Sequence, residues 1–168
     1  MLIIDKSRSS LSFEEWFEMK REEERRKTHG ATPVKEKALY AMEDAVIRFC
    51  FDGKLPFMNL YFTPKDLDSG SCGLFGYGVI MISEPYFIEY GVCEETISTM
   101  FHECVHAWDA IKGTKDTDGH YHNVFFKKTC EEHGGIAIFR NAEDGYNIAK
   151  PTEEKMQRIV EHIHQYSF

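Results

Sequence analysis

The apolar positions of this 168-residue chain change period several times, and each change marks an element. From Val34 to Phe51, the residues Ala38, Leu39, Met42, Val46, Phe49 and Cys50 recur at roughly helical spacing, which predicts a helix ending in the turn "FDGKLP" at 51–56. "FMNLYF" at 57–62 and "YGVIMIS" at 77–83 read as two strands. The glycine-dense "DSGSCGLFGYG" between them reads as the long loop of an antiparallel hairpin, and Pro85 stops the second strand. After Glu94 the period becomes helical again. Ile97, Met100, Phe101, Cys104, Val105, Trp108 and Ile111 fall at i, i+3, i+4, i+7 spacing, an apolar stripe that faces a core. Glu94 and Glu95 stand at the positive end of this helix and Gly113 closes it. The polar loop "TKDTDG" follows, then a helix from Asn123 to His133 ended by Gly134 and Gly135, a short strand at 136–139, and a final helix opened by Pro151 and running to about residue 164.

Ahead of these elements, "SFEEWFEMKREEERRKT" at 12–28 reads as a charged helix with Ser12 as its N-cap and Phe13, Trp16 and Phe17 as its apolar patch. Its basic residues are interleaved with glutamates, which describes a solvated face better than a nucleic-acid contact. The predicted architecture is α+β: a small antiparallel sheet packed against the helix that follows Glu94, with helices flanking it. The length suits one domain over 1–168, composed of the charged N-terminal helix (1–33), a core (34–139) and a C-terminal extension with a helix (140–168).

Charge and cysteine usage narrow the function classes. A formal charge of −8 argues against a surface that grips nucleic acid through its phosphates. No run of 18 or more apolar residues occurs, and "MLIIDKSRSS" lacks the longer apolar stretch of a signal peptide, so the expectation is a soluble cytoplasmic protein with no membrane partner. The 5 cysteines, Cys50, Cys72, Cys93, Cys104 and Cys130, include no CxxC pair, which fits reduced thiols and excludes a cysteine-based zinc ribbon.

The chemistry concentrates in "HECVH" at 102–106. On a helix, His102 and His106 project from one face a turn apart, as two imidazole ligands of one Zn²⁺ require. Glu103, beside them, is placed to act as a base on water and not as a ligand. Asp109 shares the histidine stripe, where it can orient a ligand or stand exposed. A catalytic zinc takes three protein ligands, so a third donor is needed. His120, His122, Glu131, Glu132 and His133 are all within reach by spacing. His122 is the most constrained, because Asn123 can cap the next helix and fix the residue before it. Tyr121 and His120 are also candidates for an oxyanion contact.

The ordered set "FDGKLP" (51–56), "CGLFGYGVIMISEP" (72–85), "TMFHECVHAW" (99–108) and "HNVFF" (122–126) resembles the SprT-like zinc metallopeptidases, a family that includes the Spartan proteases acting on DNA–protein crosslinks. The resemblance spans roughly 46–139. It implies a zincin-like fold and zinc-dependent hydrolysis of peptide bonds in a protein substrate. Aligning Phe126 with the family's aromatic position makes His122 the third ligand, although Asn123 stands where the family usually has glycine. DNA as a partner is implied by the resemblance alone; the net charge and the missing cysteine pairs pull the other way.

Overall fold

The computed structural model of the protein describes residues 33–63, 73–76, 78–83, 87 and 91–165. The charged helix expected over 12–28 lies outside the described residues. The architecture is α+β, with four helices and three small sheets among the described residues.

Helix α1 (Pro33–Cys50) starts on proline, whose missing N–H costs nothing at a helix start, and every residue from Ala38 to Ile47 is buried. This run includes two carboxylates, which burial tolerates only with partners. Glu43 accepts the Met58 N–H at 2.6 Å, and Asp44 meets Arg48 at 3.4 Å and His162 at 3.2 Å.

Strands β1 (Asn59–Thr63), β2 (Gly73–Gly76) and β3 (Val79–Ser83) form one sheet in the order β1-β3-β2. The expected antiparallel hairpin of the first and last of these is not what forms: β1 and β3 run parallel, and it is β2 that pairs antiparallel with β3. The reason lies in the glycine-dense stretch. Its Gly73–Gly76 segment is itself a strand, and Gly78, at φ 77°, turns the chain straight back into β3. With β2 on one side of β3, β1 takes the other side and is parallel to it.

Helix α2 (Glu94–Lys112) carries the "HECVH" sequence. At its start the Thr96 hydroxyl accepts the Cys93 N–H at 3.0 Å and donates to the Gly91 carbonyl at 2.8 Å; at its end Gly113 takes the left-handed conformation, φ 72°. Ile97, Met100, Phe101, Cys104 and Val105 are fully buried, so the predicted apolar stripe is the core-facing one. Strands β4 (Thr117–Asp118) and β5 (Tyr121–His122) make a small hairpin in the segment expected as a loop, with Gly119 in its turn at φ 65°. Helix α3 (Val124–Glu132) follows at once.

Strand β6 (Gly135–Ile138) pairs antiparallel with β7 (Ile148–Pro151), a strand the hydrophobic pattern did not indicate. Pro151 therefore ends a strand and does not open the last helix; α4 is Glu153–Ile163. The segment after residue 139 is no appendage. Met156, Ile159 and Ile163 of α4 belong to the same buried cluster as α1 and α2, and β7 packs on α2. No helix among the described residues is long and apolar enough to cross a membrane.

Candidate metal centre

One helical turn separates His102 from His106 on α2, and the β4–β5 hairpin brings His122 to face them. Their Nε2 atoms form a near-equilateral triangle: 3.0 Å between His102 and His106, 3.1 Å from His122 to each. The floor is Phe126, fully buried, with its ring centroid 4.8 Å from those of His102 and His106 and 4.7 Å from that of His122. Asn123 sets this floor. Its side chain caps α3 by accepting the N–H groups of Phe125 at 2.9 Å and Phe126 at 3.4 Å, and it ties back to the Lys115 carbonyl at 3.0 Å.

The opposite nitrogen of two of the rings has its own partner. His106 Nδ1 lies 2.6 Å from Asp116 Oδ2, and His122 Nδ1 lies 3.2 Å from the Asp144 carbonyl oxygen. With those nitrogens donating, Nε2 of His106 and of His122 present lone pairs at 3.0–3.1 Å from each other and from Nε2 of His102, an arrangement that a shared cation satisfies. Tetrahedral ligands at about 2.0–2.1 Å from a metal stand about 3.3–3.4 Å apart, so the donor set and the spacing both fit a small divalent ion. Among the described residues, this is where three His, Cys, Asp or Glu side chains converge as a metal site requires.

Electrostatics separate the three rings. Burial holds His102 well below its ordinary range, with the neighbouring His106 and His122 charges pushing the same way, and burial also lowers His122. His106 is the exception. Burial acts to lower it too, but the Asp116 hydrogen bond and the charges of Glu103, Asp116 and Asp109 outweigh that and raise it.

Glu103 is 5% exposed at the edge of the triangle, and burial pushes its carboxyl up to about 7. The His106 charge and the Phe75 N–H of β2 pull it back, and Asp116 pushes it up. Strand β2 lies flush against this side chain because Gly73 has none: a Cβ there would fall 2.8 Å from Thr99 Cγ2 and 3.1 Å from Glu103 Cγ and Oε1. The site opens into a cleft of about 850 Å³, lined by Thr99, Tyr121, Arg140, Glu143, Asn147 and Ile148 among others.

The remaining candidates from the sequence fall outside the triangle. His120 is exposed and, with Tyr121, lines the cleft beside His122. Glu131 and Glu132 point outward on α3, paired to Lys127 at 3.3 Å and Lys128 at 3.8 Å. His133 stacks on Phe51 with a 4.5 Å centroid separation, away from the site. Asp109 is neither exposed nor a partner of a histidine ring. It is 2% exposed and accepts the Thr129 hydroxyl at 2.7 Å, and burial raises its carboxyl to about 7.

The carboxylate that does orient a histidine, Asp116, was not singled out in the sequence. It sits in the polar "TKDTDG" loop, and only the reversal of the chain after Gly113 brings it under His106. An acidic residue in the loop between the two histidine segments was the available signal, but Asp116 and Asp118 share that loop and spacing does not choose between them. Compared with known protein families, curated proteins and solved structures, the chain matches none.

Proposed function

We propose that this chain is a zinc-dependent peptidase of the SprT-like kind, with His102, His106 and His122 as the metal ligands and Glu103 as the general base. The observation that carries the reading is the convergence of three Nε2 atoms, two of them on rings held by a partner at the other nitrogen, next to a buried carboxyl that faces a cleft. A zinc ion bound there supplies Lewis-acid polarisation of a carbonyl and makes water more acidic.

The chain's own residues do the rest. Glu103 lies beside the histidine triangle with β2 packed against it at Gly73, and from there it takes a proton from water and later returns it to the leaving amine. Tyr121 and His120 line the cleft beside His122 and are the candidates for stabilising the oxyanion of a bound peptide. The rim also carries Asp118, Glu143 and Asp144, which disfavour a phosphate backbone and support a polypeptide as the ligand of the cleft. A role on proteins crosslinked to DNA rests on the family resemblance.

The test is hydrolysis of a denatured protein by the zinc-loaded chain and by Glu103→Gln. General acid–base catalysis contributes about 10²–10⁴-fold, so the variant is expected to lose at least about 100-fold in rate while retaining its zinc. A Glu103→Gln variant as active as the parent contradicts the mechanism; a zinc-loaded parent that cleaves nothing turns the reading toward a binding module stabilised by the metal.

A further inference from the structure

The segment joining β6 to β7 supplies no ligand, yet it grips His122 at its ring and on both sides of its backbone. It is closed on itself. Asn141 Oδ1 accepts the N–H groups of Glu143 at 2.9 Å and Asp144 at 2.7 Å, and Asn141 Nδ2 donates to Asp144 Oδ2 at 2.8 Å. The Arg140 N–H reaches the Gly145 carbonyl at 2.8 Å and the Gly145 N–H reaches the Asn141 carbonyl at 3.0 Å. An Asx-type turn inside a backbone bridge leaves this loop little freedom of its own.

From that closed loop, contacts run to the metal centre. The Asp144 carbonyl accepts both the backbone N–H of His122 at 2.9 Å and its ring Nδ1 at 3.2 Å, so one oxygen fixes the ring and the chain that bears it. The Tyr146 N–H donates to the His122 carbonyl at 2.9 Å. Between Asp144 and Tyr146 the two backbones come so close that a side chain does not fit. A Cβ on Gly145 would lie 2.2 Å from the His122 carbonyl oxygen and 3.0 Å from Tyr121 Cε2, and its φ of +64° is itself a conformation that favours glycine.

We infer that the Arg140–Asn147 loop is the positioning element of the metal centre: it sets the place of His122 through Asp144 and Gly145 and fixes the ring nitrogen that donates. This rests on the reading of the three histidines as metal ligands. Partners behind a ligand typically account for about 10–100-fold in metal affinity, and the loop holds both the ring and the backbone of this one.

The experiment measures zinc affinity by competition with a chromophoric chelator, and the visible spectrum of the Co²⁺-loaded protein, for the parent and three variants. Gly145→Ala is expected to weaken zinc at least about 100-fold, since it displaces His122. Asn141→Ala, which adds no bulk and sits on the surface, is expected to weaken it about 10-fold with a shifted Co²⁺ spectrum, and Asn141→Ser, whose hydroxyl oxygen can still close the turn without setting a charge against Asp144, to recover part of both. Melting in excess chelator separates folding from metal binding, and Asn141→Ala keeps the test decisive if Gly145→Ala does not fold. Parent-like affinity and spectrum in Asn141→Ala, together with parent-like affinity in any folded Gly145→Ala, overturn the inference. A parent that binds no zinc overturns the metal reading itself, a distinct outcome.

Discussion

Glu103 shows at the scale of one residue how a site can be held at a cost to the fold. A carboxyl shut in beside three imidazoles and Asp116 is pushed from 4.5 to about 7, mainly by burial. The sign of the consequence follows from linkage: a carboxyl raised in the folded state favours folding where it is protonated, and that contribution is lost as pH rises through about 7. In Gln the loss has no counterpart. Metal-free Glu103→Gln is therefore expected to match the parent near pH 4 and to exceed it near pH 8 by about 1–3 kcal/mol, read by denaturant unfolding in excess chelator. Stability curves that stay parallel across that range would show that Glu103 is not held in the environment described. A gain in stability from removing the proposed base is the usual trade at a functional site.

Among the elements, α3 couples folding to the ligand set most directly. Asn123 caps the helix that delivers Phe126 to the backs of the three rings, and its amide also reaches Lys115 and Asp118 of the preceding loop. Asn123→Ala is expected to cost about 1 kcal/mol, or about 2–4 °C in Tm for a chain of this size, and to weaken zinc retention along with it. Thermal melts with and without zinc check this; an unchanged melting temperature would remove the cap from the account. The element scale also shows what a hydrophobic pattern reveals. Helix α2 was legible because its buried stripe of Ile97, Met100, Phe101, Cys104 and Val105 has one period throughout. The cap at Asn123 was legible because capping depends on residue type and on the next few positions. Strands β2 and β7 were not. Leu74 and Phe75 are masked by the glycines that let β2 approach Glu103, and β7 alternates exposed Ile148 and Lys150 with buried Ala149 and Pro151, a weak signal that ends on a residue associated with helix starts.

Across the whole molecule, the three converging histidines come from α2 and β5, the supports of His106 and His122 from the loop after α2 and the β6–β7 connection, and the strand packed on Glu103 is β2. His102, Glu103 and His106 were proposed from the spacing of one motif and His122 from the Asn123 cap and the family resemblance, whereas Asp116, Asp144 and Gly145 could not be singled out: local patterns report one element at a time, and those three act across chain reversals. The measurement that tests the central claim most directly is zinc stoichiometry by native mass spectrometry, in the parent and in single alanine variants of His102, His106, His122, His120 and Glu131. The account predicts one zinc per chain in the parent, its loss on replacing any of the first three, and its retention on replacing either of the last two. A parent without zinc after equilibration, or a His122→Ala variant that keeps it while His120→Ala or Glu131→Ala loses it, would contradict the account.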